Sequence, residues 1–300
     1  MGASSIVLAS ASLRVELVRH GAELVSLREV SGEELLWQAG PQWRRHAPVL
    51  FPIIGRVPAD TIHHLGRDYP LSQHGFARDL EFELLDAQDG SARLQLESDE
   101  RTLARFPFRF ALTIEYAVEG RTLRITQTVG NTDEVPWAAS LGNHPAFAYP
   151  LPGAEGRPHA VLFDGPEPEG FARAPENLIL PERHPVPFDP SRPGAVPVDD
   201  AFFADGVMIF AQPRRRVVRY AALGEGGAAL PGVPTVTVDT GDFDVMGMWK
   251  PVGAPFLCLE PWRSIPTPAG WDGDILDKPG QFRLEPGETA AFSYSVTVGE

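Results

Sequence analysis

The segment Phe108-Arg109-Phe110-Ala111-Leu112-Thr113-Ile114-Glu115-Tyr116-Ala117-Val118-Glu119-Gly120-Arg121-Thr122-Leu123-Arg124-Ile125-Thr126-Gln127-Thr128-Val129 decides the fold. Its apolar residues Phe108, Phe110, Leu112, Ile114, Tyr116 and Val118 fall at every second position. Period two collects them on one face of an extended chain, whereas a helix would scatter them. Glu119-Gly120 interrupts the run as a turn. Leu123, Ile125 and Val129 then resume on a returning strand, so the segment reads as a long antiparallel hairpin.

Working outward, the same grammar continues. Towards the N-terminus, Leu13, Val15 and Leu17 alternate with Arg14 and Glu16. Gly21, a Ser31-Gly32 turn and Leu35-Leu36-Trp37 extend this into a meander over residues 5–38. Residues 40–69 read as loop, rich in Pro, Gly, His and Arg. Ser98, followed by the acidic Asp99 and Glu100, suits the cap of one helical turn reaching Ala104. No segment keeps helical periodicity beyond about two turns. Trp137 to Phe147 reads as a strand, as do 207–210, 217–220, 235–238 and 245–249. Phe292, Tyr294, Val296 and Val298 alternate after the turn Glu285-Pro286-Gly287-Glu288. Residues 150–200 hold about a dozen of the 30 prolines, yet Phe163, Phe171, Leu178, Leu180 and Phe188 recur through them. The expectation is therefore all-β: a large antiparallel β-sandwich, residues 1–300 as one domain, with a Pro-rich excursion at about 150–200 lying on its body.

Composition narrows function by exclusion. A formal net charge of −14 over 300 residues and a pI near 5.0 oppose nucleic acid and anionic membrane as partners. The single cysteine, Cys258, excludes an intrachain disulfide and reads as a buried, inert thiol between Leu257 and Leu259. No leader pattern and no long apolar run stand out, so a cytoplasmic location is expected. His-x-x-x-His and Glu-x-x-His spacings, phosphate-cradling glycine loops and the Gly-x-Ser-x-Gly elbow are all missing. No cofactor and no metal are expected, with a dispersed metal site as the alternative left open. Oligomeric state is not legible.

What survives is acid–base chemistry. Phe256-Leu257-Cys258-Leu259-Glu260-Pro261-Trp262 reads as a short buried strand that delivers a carboxylate to its end. A buried charge of that kind is costly unless it is paired or used. Of the eight histidines, His74 and His144 each have glycine within two positions and apolar strands nearby. His63, His64, His159 and His184 read as solvated. Arg56, Arg78 and Asp205 also stand beside glycine, proline or aromatic residues at strand ends and loops.

Four ordered pieces carry a resemblance: Leu50-Phe51-Pro52 with Gly55-Arg56, His74-Gly75-Phe76-Ala77-Arg78, Gly142-Asn143-His144-Pro145-Ala146-Phe147, and Phe256 through Trp262. Together they resemble the aldose 1-epimerase (galactose mutarotase-like) family, nearer its divergent branch than the galactose enzymes. Leu35-Leu36-Trp37, Pro107-Phe108-Arg109-Phe110, Asp205 and Pro286-Gly287-Glu288 extend the likeness along nearly the whole chain. The resemblance implies a galactose mutarotase-type β-sandwich and interconversion of the α and β anomers of an aldose. It implies Glu260 as general base, His144 as general acid and His74 as a second contact to the sugar. Arg56 and Arg78 would bind hydroxyls or a more acidic substituent, and Asp205 is the shortest of the motif transfers. Trp249 and Trp262 suit either a sugar face or the core.

Mutarotation needs a proton removed from the anomeric hydroxyl and one delivered to the ring oxygen. A carboxylate ionised at pH 7 and an imidazole of ordinary pKa, about 6.5, would serve. Three alternatives remain. A hexose-6-phosphate mutarotase would use Arg56 and Arg78. A non-catalytic carbohydrate-binding or sensing protein would need no acid–base pair. A glycoside hydrolase would set Glu260 against Asp205.

Overall fold

A computed structural model describes residues 5–299 except 31, 166, 168 and 193. Two antiparallel sheets dominate. The nine-stranded sheet runs, edge to edge, Ala195–Pro197, His159–Phe163, Val217–Ala222, Thr235–Asp239, Thr289–Gly299, Thr122–Asn131, Phe110–Glu119, Ser91–Glu97 and Glu83–Gln88. The alternating segment forms the expected hairpin, with Glu119 opposite Thr122 and Asn131 opposite Phe110. Gly120 takes a left-handed φ of 55° in the turn.

The second sheet runs Ala172–Arg173, Met208–Ala211, Val245–Trp249, Phe256–Arg263, Leu141–Asn143 and Val49–Leu50, with Ala146–Ala148 also paired to Phe256–Arg263. Alternation sorts its side chains. Leu257, Leu259, Met246, Met248, Met208, Phe210, Val49 and Phe147 join the main core with Leu112, Ile114, Tyr116, Leu123 and Val296 of the nine-stranded sheet. The other face carries Phe256, Cys258 and Trp262 into smaller apolar clusters. The sheets thus form a β-sandwich, with the far face of the smaller sheet free to build a site. A reciprocal amide pair ties the layers together: Gln127 Nε2 donates to Asn143 Oδ1 at 2.9 Å and Asn143 Nδ2 to Gln127 Oε1 at 3.2 Å.

Several details depart from the sequence reading. Trp137 to Phe147 is three short strands, Trp137–Ala139, Leu141–Asn143 and Ala146–Ala148. Residues 40–69, expected as loop, include the strands Val49–Leu50 and Thr61–His64, the latter paired with Arg67–Pro70. The helical turn Glu100–Leu103 is capped by Asp99 rather than Ser98, in a capping box with Thr102. His159 is not solvated: it is buried, and its Nε2 accepts from the Leu151 amide at 3.0 Å. His64 is also largely covered and lies 3.1 Å from Asp274. Ser31 of the expected Ser31-Gly32 turn lies outside the described residues. The Pro-rich stretch supplies His159–Phe163 and Ala195–Pro197 to the larger sheet and Ala172–Arg173 to the smaller.

Candidate active site

On strand Phe256–Arg263 the even-numbered residues point away from the core, so Glu260 emerges on the free face between Cys258 and Trp262. Its neighbour across the ladder is Gly247. A Cβ on Gly247 would stand 2.7 Å from the Trp262 ring and 3.2 Å from the Glu260 Cβ. Gly142, opposite Trp262 on the other side, would set a Cβ 2.8 Å from the same indole. The two glycines let a flat indole lie across the sheet beside the carboxyl group.

His144 follows strand Leu141–Asn143, and its backbone N–H donates to the Pro48 carbonyl at 3.1 Å. Its Nε2 stands 3.2 Å from Glu260 Oε2. Aromatic rings hold the imidazole from several directions. Trp43 lies over it at 4.8 Å between centroids, Trp249 meets it edge-on at 5.4 Å, and His74 edge-on at 5.8 Å. Among the described residues, no hydrogen-bond partner reaches its buried Nδ1.

His74 adopts a left-handed φ of 62°, followed by Gly75 at 72°. This bend lets two reciprocal bonds form: the His74 amide donates to the Gly55 carbonyl at 2.7 Å, and the Gly55 amide donates to His74 Nδ1 at 3.1 Å. Because Nδ1 accepts, the ring proton of a neutral His74 sits on Nε2. Arg78, on the next turn, donates to the Gln73 carbonyl at 2.6 Å while its buried Nε has no hydrogen-bond partner. Asp79 lies 3.9 Å from that Nε and accepts from Arg45 at 2.7 Å.

These residues surround a cavity of about 750 Å³, walled by Trp43, Arg45, His74, Arg78, His144 and Glu260, among others. Asp205, Trp249 and Trp262 also line it, with Asp205 exposed at its edge. Trp249 and Trp262 therefore have a core side and a cavity side at once. Arg56 is the exception. Its guanidinium is turned to Asp60 at 2.8 Å, and it lines a separate depression of about 170 Å³. The glycine beside it serves the backbone, since Gly55 orients His74, and brings no cation to the cavity.

Trp43, Arg45, Gln73, Glu176 and Asn177 also line the cavity and were missed in the sequence. Trp43-Arg44-Arg45 did carry a signal, an aromatic residue beside two cations in a loop. Glu176 and Asn177 carried none that separates them from solvated residues.

Electrostatically the pocket favours neutral groups. Glu260 is buried, neither of its oxygens has a hydrogen-bond partner among the described residues, and desolvation holds its pKa well above the ordinary carboxylate value. The Trp262 indole pulls the other way, but it lies outside hydrogen-bond geometry and burial wins. His144 is lowered to about 3, first by burial and then by the positive charge of Arg78. Burial likewise lowers His74, helped by His144 and Arg78. Arg78 itself, lowered to about 10 by burial, stays cationic at neutral pH. An ionised Glu260 and a readily protonated His144 were expected; burial reverses both, favouring the protonated carboxyl group and the neutral imidazole.

The sequence profile of the aldose 1-epimerase family matches residues 4–162. The chain belongs to that family. It is 28% identical to the chromosomal protein LacX of Lactococcus lactis subsp. lactis, across 98% of this chain and 99% of that one. Among solved structures, it is similar to a galactose mutarotase-like protein of Lactobacillus casei, with a TM-score of 0.88 and 27% identity over 99% of this chain and 100% of that one. A galactose mutarotase related enzyme of Lactobacillus acidophilus gives a TM-score of 0.87 and 28% identity over 99% and 98% of the two chains.

Proposed function

We propose that this protein interconverts the α and β anomers of an aldose, with Glu260 and His144 as the proton-transfer pair. The observation that carries the reading is the 3.2 Å approach of His144 Nε2 to a Glu260 carboxyl group whose oxygens have no hydrogen-bond partner, on the wall of an open cavity. Such oxygens are free to accept hydrogen bonds from sugar hydroxyls.

The chemistry follows from the proton inventory. Before sugar binds, Glu260 holds the proton, because the neutral carboxylic acid is the form that burial tolerates. Sugar hydroxyls donating to the carboxyl oxygens favour the ionised form, so binding transfers the proton across 3.2 Å to His144. Glu260 then accepts the proton of the anomeric hydroxyl while His144 gives its own to the ring oxygen. The bond between C1 and the ring oxygen breaks, and an open-chain aldehyde forms. Rotation about C1–C2 presents the other carbonyl face. Reclosure returns the ring-oxygen proton to His144 and the Glu260 proton to the new anomeric hydroxyl. Each positioned group contributes roughly 10²- to 10⁴-fold. His74, with its proton fixed on Nε2, acts as a neutral donor to a sugar oxygen. Trp249 and Trp262 offer apolar ring faces, and Asp205 a hydroxyl acceptor at the edge.

The test is polarimetry, or proton NMR, of freshly dissolved α-glucose and α-galactose with and without protein. Anomer exchange faster than the spontaneous rate is expected. Uncatalysed exchange across a panel of aldoses and aldose phosphates would refute the reading, and saturable sugar binding without exchange would point to a carbohydrate-binding protein.

A phosphorylated substrate is a second reading, supported by Arg45 and Arg78 on the cavity wall and by the unpartnered Nε of Arg78. Two guanidinium groups suit a phosphate dianion. The overall charge of −14 opposes it only beyond the screening length, about 8 Å at physiological salt. A KM for glucose 6-phosphate well below that for glucose, lost in Arg78→Met, would favour this substrate. Equal KM values would exclude it.

A further inference from the structure

We propose that Cys258, His144 and Glu260 together form an inhibitory binding site for a thiophilic divalent cation such as Zn²⁺ or Cd²⁺. One potential ligand atom from each of the three side chains lies within 4.8 Å of the other two. Cys258 and Glu260 are two residues apart on one strand, so both point to the free face of the sheet, and His144 approaches from the adjoining segment. A tetrahedral shell built on bonds of about 2.0 to 2.3 Å sets its ligand atoms roughly 3.5 Å apart. The His144–Glu260 pair, at 3.2 Å, already meets that spacing, and the separations to Cys258 Sγ are no more than 4.8 Å.

Three features make the cluster a site and not only a crowded corner. Glu260 is 1% exposed, yet among the described residues neither of its oxygens has a hydrogen-bond partner, so an ion there displaces no hydrogen bond to the carboxyl group. The cavity reaches both His144 and Glu260, which gives an entry path and room for a water as fourth ligand. The donor set of one sulfur, one imidazole nitrogen and one carboxylate oxygen suits zinc and cadmium, whereas Mg²⁺ and Ca²⁺ require six or more oxygen ligands.

The consequence rests on the mutarotase reading: an ion held here displaces the Cys258 thiol proton and the Glu260 carboxyl proton to solvent, occupies the His144 lone pair and the Glu260 carboxylate at once, and leaves no proton to be exchanged. Cys258 takes no part in the sugar reaction and serves as the third anchor. The cysteine then sets the protein's sensitivity to soft metals.

The experiment uses the full chain and reads binding apart from turnover. CdCl₂ is titrated into the protein while the ultraviolet thiolate-to-cadmium charge-transfer band and the heat of binding are recorded. One equivalent, with a clear band, is expected for the wild type and none for MgCl₂. Cys258→Ala should lose the band and weaken Cd²⁺ binding by about tenfold or more. Cys258→Ser, closer in size, keeps the test open should the alanine variant fold poorly by near-ultraviolet circular dichroism. In parallel, ZnCl₂ should halt anomer exchange by the wild type, reversibly with EDTA, at concentrations that Cys258→Ala withstands. A wild-type titration without the band, or equal Cd²⁺ affinity in wild type and both variants, overturns the proposal. Cadmium binding by a protein that turns over no sugar supports the site and counts against the mutarotase reading instead.

Discussion

Replacing His144 by Gln removes a titratable group whose burial has a calculable effect on stability. The imidazole is lowered to about 3, from an ordinary value near 6.5, mainly by desolvation. Its folded-state pKa is therefore depressed, and the unfolded chain binds more protons between these two values. Folding stability then falls as pH drops through that window. At pH 7.5 the imidazole is neutral in both states and the effect is nearly nil. At pH 5 the unfolded imidazole is protonated and the folded one is not, which costs about 2 kcal/mol, or roughly 1.4 kcal/mol for each pH unit of the window crossed. His74 adds a penalty of the same sign, since burial lowers it too. His144→Gln should remove the first penalty and leave the second. Urea unfolding of wild type and variant at pH 7.5 and pH 5 provides the assay. The wild type should lose about 2 kcal/mol more than the variant between the two conditions. Equal losses would refute the claim that the pocket keeps His144 neutral, and with it the proton inventory proposed for the reaction.

Four further variants have expected outcomes. Glu260→Gln should lower kcat by about 10²- to 10⁴-fold, measured by polarimetry. Because the folded pKa of Glu260 is raised, its carboxyl group destabilises the wild type increasingly above about pH 4.5, so the Gln variant should gain relative stability from pH 5 to 8 in thermal melts. Gly75→Ala would place a Cβ 2.1 Å from the Phe51 carbonyl oxygen at a φ of 72°, and should cost more than about 3 kcal/mol in urea unfolding. Gly120→Ala, at a φ of 55° with nothing within 4 Å, should cost only about 1 to 2 kcal/mol. Lys278 is buried, lowered to about 7, and donates to the Ile265 carbonyl at 2.7 Å. Lys278→Met should stabilise the protein at pH 7 by about 3 kcal/mol, the desolvation cost less one hydrogen bond, and the gain should shrink as the pH rises towards 10.

The alternation from Phe108 to Val129 made the large sheet legible, because a half-buried strand must place apolar groups at every second position. The three short strands between Trp137 and Ala148 were not separable, since nearly every residue there is buried and burial on both faces erases the alternation. In the candidate site, Glu260 and His144 stood out because each joins a polar side chain to an apolar strand. The placement of Arg56 was misread for a related reason. Sequence shows that a cation adjoins a glycine, but the side chain's direction depends on Asp60 four residues on, which supplies a partner outside the cavity. Trp43 and Arg45 enter from a loop whose path follows no periodic rule, so their convergence on His144 arises only in three dimensions. The proton positions were illegible for the same cause, because burial sets them and burial belongs to the folded state.

The strand Thr289–Gly299 lies between Thr122–Asn131 and Thr235–Asp239 in the larger sheet. Among the described residues, the hairpins on one side of it, from Glu83 to Asn131, and the strands on the other, from His159 to Asp239, are joined in the ladder through it. A ribosome therefore emits both halves before their shared seam exists. Until residue 289 and beyond emerge, each half exposes a long unpaired edge, which is the surface that invites association with other nascent chains. The closing contacts with Thr122–Asn131 span more than 150 residues of sequence, as from Thr122 to Thr297, so that pairing is a slow, long-range step. Yield during synthesis should accordingly depend on how well the unpaired edges of the first half are shielded while the chain is being made.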